Sequence, residues 1–166
     1  AVRNAVVAGA DINHLALLDN FCWCSSDEAE RLGQLKRSVN AIYDLAVKYG
    51  TPFISGKDSM FNDFKGFDAD GKAVKISAPP TLLVSSIGVI PDIDQSISLA
   101  PKAAGDLLYL LGETKDELGG SEYYDEHDAI GQNVPETDGD TNMFLYKLYS
   151  RAARKRLIAS GMAVNH

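Results

Sequence analysis

The sequence predicts a protein of the α+β or mixed α/β class, on three observations. Two long segments carry apolar residues at three- and four-residue steps, which is the period of an amphipathic helix. Several short apolar runs have the length of buried strands. Between positions 61 and 76, polar and apolar residues alternate around Asp70-Gly71, a dipeptide that is a strong hairpin-turn signal.

The first long helix is predicted from its ends as well as from its apolar stripe. Ser25, Ser26 and Asp27 offer N-cap oxygens, and Gly50 followed by Pro52 ends the helix. The stripe between them predicts a face that packs against a core. Its members are Leu32, Leu35, Val39, Ile42, Leu45 and Ala46.

The remaining elements are shorter or less sharply bounded. The end of a helix is predicted over residues 2–7, with Gly9 as its stop, and a second long helix over residues 141–161. Residues rich in Pro, Asp and Gly between 91 and 105 predict a linker and a domain boundary. Buried strands are predicted over residues 14–18, 53–55, 81–90 and 106–112.

Composition and charge exclude two classes of function. Hydrophobic residues make up 45% and charged residues 23% of the 166 residues, the balance of a globular protein. The 16 basic against 23 acidic residues give a net charge of -7, which argues against a general nucleic-acid binder. No apolar run approaches the ~18 residues that a membrane span needs.

The two cysteines, Cys22 and Cys24, predict a reducing compartment. A disulfide between residues so close in sequence would be strained, and a structural zinc site would need a second pair of ligands. Buried or half-buried thiols are therefore expected. We expect a cytoplasmic protein.

The most informative stretch is residues 55–60, SGKDSM, which we interpret as a turn after a short strand. Gly56 would let the backbone turn tightly and approach a ligand. Lys57, Asp58 and Ser59 offer a cation for phosphate, an oxygen ligand for Mg²⁺ and a hydroxyl group. These are the parts of a nucleotide-phosphate site, without the upstream glycine of a P-loop. A polar turn with a solvated lysine is the alternative, and on these residues alone it is the commoner case.

Two further positions leave alternatives open. Asp19 follows a buried strand, where a carboxylate can bind a ligand or metal, or can cap the turn that leaves the strand. The spacing does not separate these roles. Gly119-Gly120-Ser121 could form an anion-binding nest, but a loop or a helix start capped by Ser121 is the commoner use of such a run, and we favour the loop.

Taken together, the segments resemble one enzyme family. The chain is similar, nearly throughout and in colinear order, to the second half of the synthetase portion of phosphoribosylformylglycinamidine synthases. The resemblance is carried by ALLDNFCW, TPFISGKDSMFN, APPTLLVSSIGVI and DLLYLLGETKDELGGSEYY. SGKDSM followed by PPTL and GGSEYY is specific, although each piece alone is weak. More distant likeness extends to aminoimidazole ribonucleotide synthetase, selenophosphate synthetase, thiamine-monophosphate kinase and a hydrogenase-maturation dehydratase.

The resemblance implies two domain types. Residues 1–95 would be the latter part of an aminoimidazole ribonucleotide synthetase-like N-terminal-type domain, which binds nucleotide and pairs with a copy of itself into a barrel-like sheet. Residues 96–105 would be a linker, and residues 106–166 the start of the C-terminal-type α/β domain. In the family, an ending like VNH precedes an acidic, glycine-rich motif. This ending and the lack of an initiator Met predict an internal fragment.

The resemblance also implies roles for five residues. Asp19 falls at a nucleotide or metal contact, and Gly56 lines the nucleotide phosphates. Lys57 is expected at a phosphate, Asp58 at Mg²⁺, and Ser59 at substrate or phosphate. Some relatives have Asn in place of Lys57, which leaves the division of labour between Lys57 and Asp58 open. The family's catalytic histidine lies upstream, so no catalytic residue is named in this chain.

The implied function is a step of de novo purine biosynthesis. Mg-ATP activates the amide oxygen of formylglycinamide ribonucleotide, and glutamine-derived ammonia replaces it to give formylglycinamidine ribonucleotide. The parent would be an ATP-dependent C–N ligase with ATP and Mg²⁺ as cofactors, and the isolated fragment is expected to be inactive. Implied partners are a glutaminase domain or subunit and the remaining synthetase domains, with no nucleic acid or membrane. An exposed barrel edge would favour a homodimer.

Two alternatives accompany this interpretation. The chain could belong to another ATP-dependent enzyme of the same superfamily, of the selenophosphate synthetase or thiamine-monophosphate kinase type. It could also be a non-catalytic half whose nucleotide is structural, because internal duplication lets one of two equivalent sites lose catalysis. The GGSEYY and PPTL segments favour the synthase over the first of these.

Overall fold

The computed structural model describes residues 1–164, which form two compact units. The first consists of Ala1 and Asn13–Ile87, and the second of Val2–Ile12 and the described residues from Gly88 onward. Compactness alone does not assign a unit to a domain type. The proposed domains over residues 1–95 and 106–166, with a linker at 96–105, therefore stay a prediction. The last two residues of the VNH ending lie outside the described residues.

The protein mixes helices with small sheets, which confirms the predicted combination of α and β structure. A short 3₁₀ turn at Ile93–Gln95 lies in the stretch rich in Pro, Asp and Gly between residues 91 and 105. Within residues 1–164, no helix combines the length and the apolar character needed to cross a lipid bilayer. In chain order the elements are α1 (Val2–Val7), β1 (Leu15–Cys22), α2 (Ala29–Tyr49), β2 (Phe53–Ser59), β3 (Asp63–Phe67), β4 (Ala73–Ser77), β5 (Thr81–Gly88), α3 (Glu122–Asp125) and α4 (Gly139–Arg154).

The first unit is built on a three-stranded sheet of order β2-β1-β5. Strands β1 and β2 are parallel, and α2 is the crossover that such a pair requires. The helix ends as predicted at Gly50, whose φ of 66° is left-handed and whose N–H is bonded to the last helical carbonyls. Its start differs from the prediction. Glu28 is the N-cap residue and makes no side-chain capping bond, because its carboxylate contacts Lys75.

The predicted hairpin is confirmed. Strands β3 and β4 are antiparallel, and Asp63 pairs with Ser77 at the open end. Gly71 has a φ of 77°, a conformation that favours glycine, and Asp68 accepts hydrogen bonds from Asp70 and Lys72 across the turn.

In the second unit, α1 packs against α4. The Tyr149 hydroxyl donates to the carbonyl of Val7 at 3.0 Å, and Asp138 caps α4 by accepting from the backbone of Asp140 and Thr141. Ser121 caps the short α3 by accepting from the backbone N–H of Tyr124, so the GGS run is a helix start. The buried members of this unit include Val2, Val6, Ala10, Ile12, Tyr146, Tyr149 and Ser150.

Three expectations about burial are wrong. Residues 106–112 form no strand, and Leu108 is 93% exposed, since the described part of the second unit offers only the single bridge Ser98–Ser160 and no strand beside them. The stripe on α2 is only half covered, with Leu32 and Val39 exposed. Strand β5 alternates exposed and half-buried residues and is not continuously buried.

Candidate functional site

Residues 56–59 lie in a strand, and the predicted turn at this place is wrong. Gly56 lies opposite Asp19, and the ladder continues to the pair Cys22 and Ser59. It extends one step further, because the backbone N–H of Trp23 donates to the carbonyl of Ser59 at 2.8 Å. The hydrogen bonds to β1 keep the GKDS segment extended, which the short apolar run at 53–55 did not indicate.

The strand separates the predicted site residues onto two faces of the sheet. Successive residues of a strand point to opposite sides, so Lys57 and Ser59 share one face while Gly56 and Asp58 share the other. The Lys57 ammonium donates to the Ser59 hydroxyl at 2.7 Å. The structure therefore does not bring Lys57 beside Asp58, and the assignment of Lys57 and Ser59 to phosphate and substrate stays a prediction.

On the other face, Asp19 and Asp58 form a pair of carboxyl groups. Asp19 is half-buried and Asp58 is exposed. Partial desolvation, the negative charge of Asp19 and a hydrogen bond with Asp19 together raise the pKa of the Asp58 carboxyl above its ordinary value. Two carboxyl groups in such close contact present their oxygens to one place, an arrangement that can bind a cation.

Gly56 gives the Asp19 carboxylate its room. A Cβ atom at residue 56 would lie 2.3 Å from Oδ1 of Asp19 and 3.0 Å from its Cγ. No side chain tolerates the first of these distances. The glycine is required by the close approach of a neighbouring carboxylate, in a backbone that is extended and unstrained.

The pair fits a divalent cation that is shared with a phosphate ligand. Mg²⁺ is commonly held by one or two carboxylates, with water and phosphate oxygens completing its six ligands. Among residues 1–164, no group of three or more His, Cys, Asp or Glu side chains could hold a metal ion. Asp19 and Asp58 would thus supply two ligands, and Gly56 would let the Asp19 carboxylate lie close against β2.

A second charged cluster lies at the open end of the hairpin and was missed from the sequence. Lys75 contacts the carboxylate of Glu28 and lies 3.8 Å from Oδ2 of Asp63. The Asp63 side chain is only 2% exposed, and neither carboxylate oxygen has a hydrogen-bond partner. Counting the register outward from Asp70-Gly71 would have placed Asp63 diagonally opposite Lys75, so the signal was present in the hairpin.

Cys22 is half-buried and Cys24 is buried, and both are free thiols, as expected.

The chain matches none of the protein-family models with which it was compared. It does resemble curated proteins. It is 31% identical over 161 residues, 95% of its length, to the phosphoribosylformylglycinamidine synthase subunit PurL of Methanococcus aeolicus. The subunit of the same name from Methanocaldococcus jannaschii is 28% identical over 165 residues, 98% of the chain. That of Alkaliphilus metalliredigens is 36% identical over 123 residues, 74% of the chain.

These relatives are synthase subunits of one class. The chain belongs to the phosphoribosylformylglycinamidine synthase family. It spans 22%, 20% and 15% of the lengths of the M. jannaschii, M. aeolicus and A. metalliredigens proteins, so it corresponds to one segment of them.

Proposed function

We propose that the chain supplies part of the Mg-nucleotide site of a phosphoribosylformylglycinamidine synthase. The single observation that carries the proposal is the carboxyl pair of Asp19 and Asp58. These side chains lie on one face of the parallel strands β1 and β2, and Gly56 is opposite Asp19. Strand edges of this kind in α/β proteins are frequent ligand sites. The aminoimidazole ribonucleotide synthetase-like arrangement of the two domain types is part of the same proposal.

Each of the three residues has a distinct part in the site. Asp19 and Asp58 would bind Mg²⁺ directly, and Gly56 would admit the metal-bound phosphates to the strand surface. When bound, Mg²⁺ neutralises charge on the transferring phosphoryl group.

The reaction we propose for the whole protein is the ATP-dependent conversion of formylglycinamide ribonucleotide and ammonia to formylglycinamidine ribonucleotide. The protein would be a C–N ligase of purine biosynthesis in the cytoplasm. The names of the relatives support this assignment. Ammonia would come from glutamine by way of a glutaminase domain or subunit with its own cysteine nucleophile and histidine partner. The remaining synthetase domains, and a homodimer, complete the proposed assembly.

A second candidate is a nucleotide that is held permanently and does not react. The observation that favours it is the Lys57–Ser59 bond on the opposite face, which keeps the Lys57 ammonium group away from the carboxyl pair and from a phosphate bound there. The two candidates share the same metal ligands and differ in turnover.

Turnover and binding together test these candidates. In a protein of the relatives' full length that carries this segment, Asp58→Asn should abolish amidine formation from ammonia, ATP and formylglycinamide ribonucleotide. Asp70→Asn, an equal loss of charge in the hairpin turn, should leave the rate unchanged. If Asp58→Asn lowers nucleotide content but not the rate, the structural role is correct. If it changes neither, the carboxyl pair is not a nucleotide site.

A further inference from the structure

Just past the ends of β1 and β2, the carbonyl group of Trp23 accepts two hydrogen bonds from Asn62. The backbone N–H and the side-chain Nδ2 of Asn62 each donate to the carbonyl oxygen of Trp23 at 3.0 Å. Trp23 in turn donates its own N–H to Ser59. The segment from Ser59 to Asn62 is therefore bonded at both of its ends to one residue, which directly follows β1.

Trp23 is a fixed point for this arrangement. It is only 3% exposed, and its indole N–H donates at 2.8 Å to the carbonyl of Arg31 in the first turns of α2. The carbonyl of Asn62 accepts from the N–H of Ala78 at 2.9 Å, so Asn62 also joins the hairpin's returning strand. Asn62 thus connects the end of β1 with the base of the hairpin.

The turn between these bonds is strained. Phe61 has a φ of 58°, in the left-handed region that a bulky residue seldom adopts, and its carbonyl accepts from Asp63 at 2.8 Å. The Phe61 side chain is 53% exposed, so packing of its ring does not account for the conformation. The hydrogen bonds of Asn62 are what offset the strain, because they close the turn against a buried anchor.

We propose that Asn62 is a positioning residue for the carboxyl pair. By holding the carboxyl end of β2 against Trp23, it fixes the register that places Gly56 opposite Asp19 and Asp58 two residues further along on the same face. Asn62 touches neither carboxylate and acts through the backbone of residues 58–60. This inference rests on the proposed function only for its consequence, the affinity for a divalent cation. The arrangement of the pair itself is a matter of geometry.

The test compares Asn62→Asp and Asn62→Ala with the unsubstituted chain. Asn62→Asp keeps the shape of the side chain and removes its Nδ2 donor, while the backbone N–H of residue 62 remains. Asn133→Asp is the matched control, because it introduces the same charge on an exposed residue of the second unit. Crystal structures of the variants give the Asp19–Asp58 separation, and Mn²⁺ titration followed by electron paramagnetic resonance gives the affinity.

We expect both Asn62 variants to fold, to lose the Asp19–Asp58 hydrogen bond, and to bind Mn²⁺ about tenfold or more weakly, as supporting residues of metal sites do. Asn133→Asp should match the unsubstituted chain. An unchanged separation of the carboxyl groups would overturn the proposal, whatever the affinity. Loss of far-ultraviolet circular dichroism in Asn62→Asp would also overturn it, because Asn62 would then hold the fold and not the pair. If the unsubstituted chain does not bind Mn²⁺, the proposed function fails, and the crystallographic separation still decides the role of Asn62.

Discussion

Gly56 lies directly opposite Asp19 in the parallel ladder of β1 and β2, and Oδ1 of Asp19 occupies the space where a Cβ of residue 56 would lie. The two residues belong to ALLDNFCW and TPFISGKDSMFN, two of the segments that carry the family resemblance. It explains why the strand has a glycine at a position where glycine weakens a sheet. It also makes the glycine a sensitive place to perturb the carboxyl pair without touching either carboxylate.

Gly56→Ala should damage the site more than the fold. The added Cβ would displace the tip of a short side chain, which can rotate away at modest cost, so the free energy of unfolding should fall by less than about 1 kcal/mol. The rotated Asp19 no longer faces Asp58, and Mn²⁺ affinity should fall by about tenfold or more. Calorimetric titration and denaturant unfolding measure the two quantities.

Gly33→Ala is the matched control for that variant. Its Cβ would meet only the Arg37 guanidinium at 3.9 Å, in the middle of α2. It should stabilise the chain by about 0.5–1 kcal/mol and leave the metal affinity unchanged. Equal effects of the two substitutions on affinity would show that Gly56 has no special relation to Asp19.

Asp58→Asn should raise the melting temperature at neutral pH. The pKa of Asp58 is raised in the folded state, so the folded chain binds more protons than the unfolded chain between the ordinary pKa of 3.8 and the folded value. Stability from this group is therefore lost as pH rises through that window, and the loss persists at pH 7. An amide cannot ionise, so the variant escapes the loss. A melting temperature below that of Asp70→Asn at pH 7 would contradict the raised pKa of the Asp58 carboxyl.

The sequence predicted the elements that local signals define. The Asp70-Gly71 hairpin and the Gly50 helix end depend on backbone conformations that few residue types adopt, so the local sequence was enough to predict them. The strand at residues 106–112 could not be decided in this way, because a buried strand needs neighbours, and its apolar residues do not say whether neighbours are present. The prediction for the GKDS segment was wrong for the opposite reason. Its polar residues indicated a turn, but the segment pairs with β1 and is a strand.

The candidate site was predicted in part for the same physical reason. Asp19, Gly56 and Asp58 were each identified, and the parallel register brings them to one face. Lys57 and Ser59 were grouped with them because they are adjacent in sequence, but a period of two separates neighbours in a strand. Asn62 was not identified, because its partner Trp23 is distant in sequence. Asp63 was not identified because its position relative to Lys75 follows only from the register of the hairpin strands.

Lys75→Met should destabilise the first unit through Asp63. Without the ammonium group, the carboxylate of Asp63 is left buried with no partner, which is more unfavourable than losing an exposed ion pair. The melting temperature should fall in the single variant and should recover in part in Lys75→Met combined with Asp63→Asn. Lys72→Met, which removes the same charge from the turn of the same hairpin, is the control. An additive double variant would show that Lys75 and Asp63 do not interact.

The same cluster should make the hairpin sensitive to alkali. The hydrogen bond with Glu28, and to a lesser extent the charges of Asp63, Glu28 and Cys24, raise the pKa of Lys75 above 10.5 despite some desolvation. A raised lysine pKa gives stability that is fully present below pH 10.5 and is lost as pH rises through the folded-state value. Melting temperatures measured from pH 9 to 12 should fall more steeply in the unsubstituted chain than in Lys75→Met. Parallel profiles would show that Lys75 does not contribute.

The central claim is that Asp19 and Asp58 together hold a divalent cation, and binding of Mn²⁺ followed by electron paramagnetic resonance tests it most directly. If these two residues are the ligands, the unsubstituted chain binds one Mn²⁺. We predict that this binding is retained in Asp70→Asn and lost in both Asp19→Asn and Asp58→Asn. Binding that survives unchanged in Asp58→Asn, or that is absent from the unsubstituted chain at millimolar Mn²⁺, would contradict it.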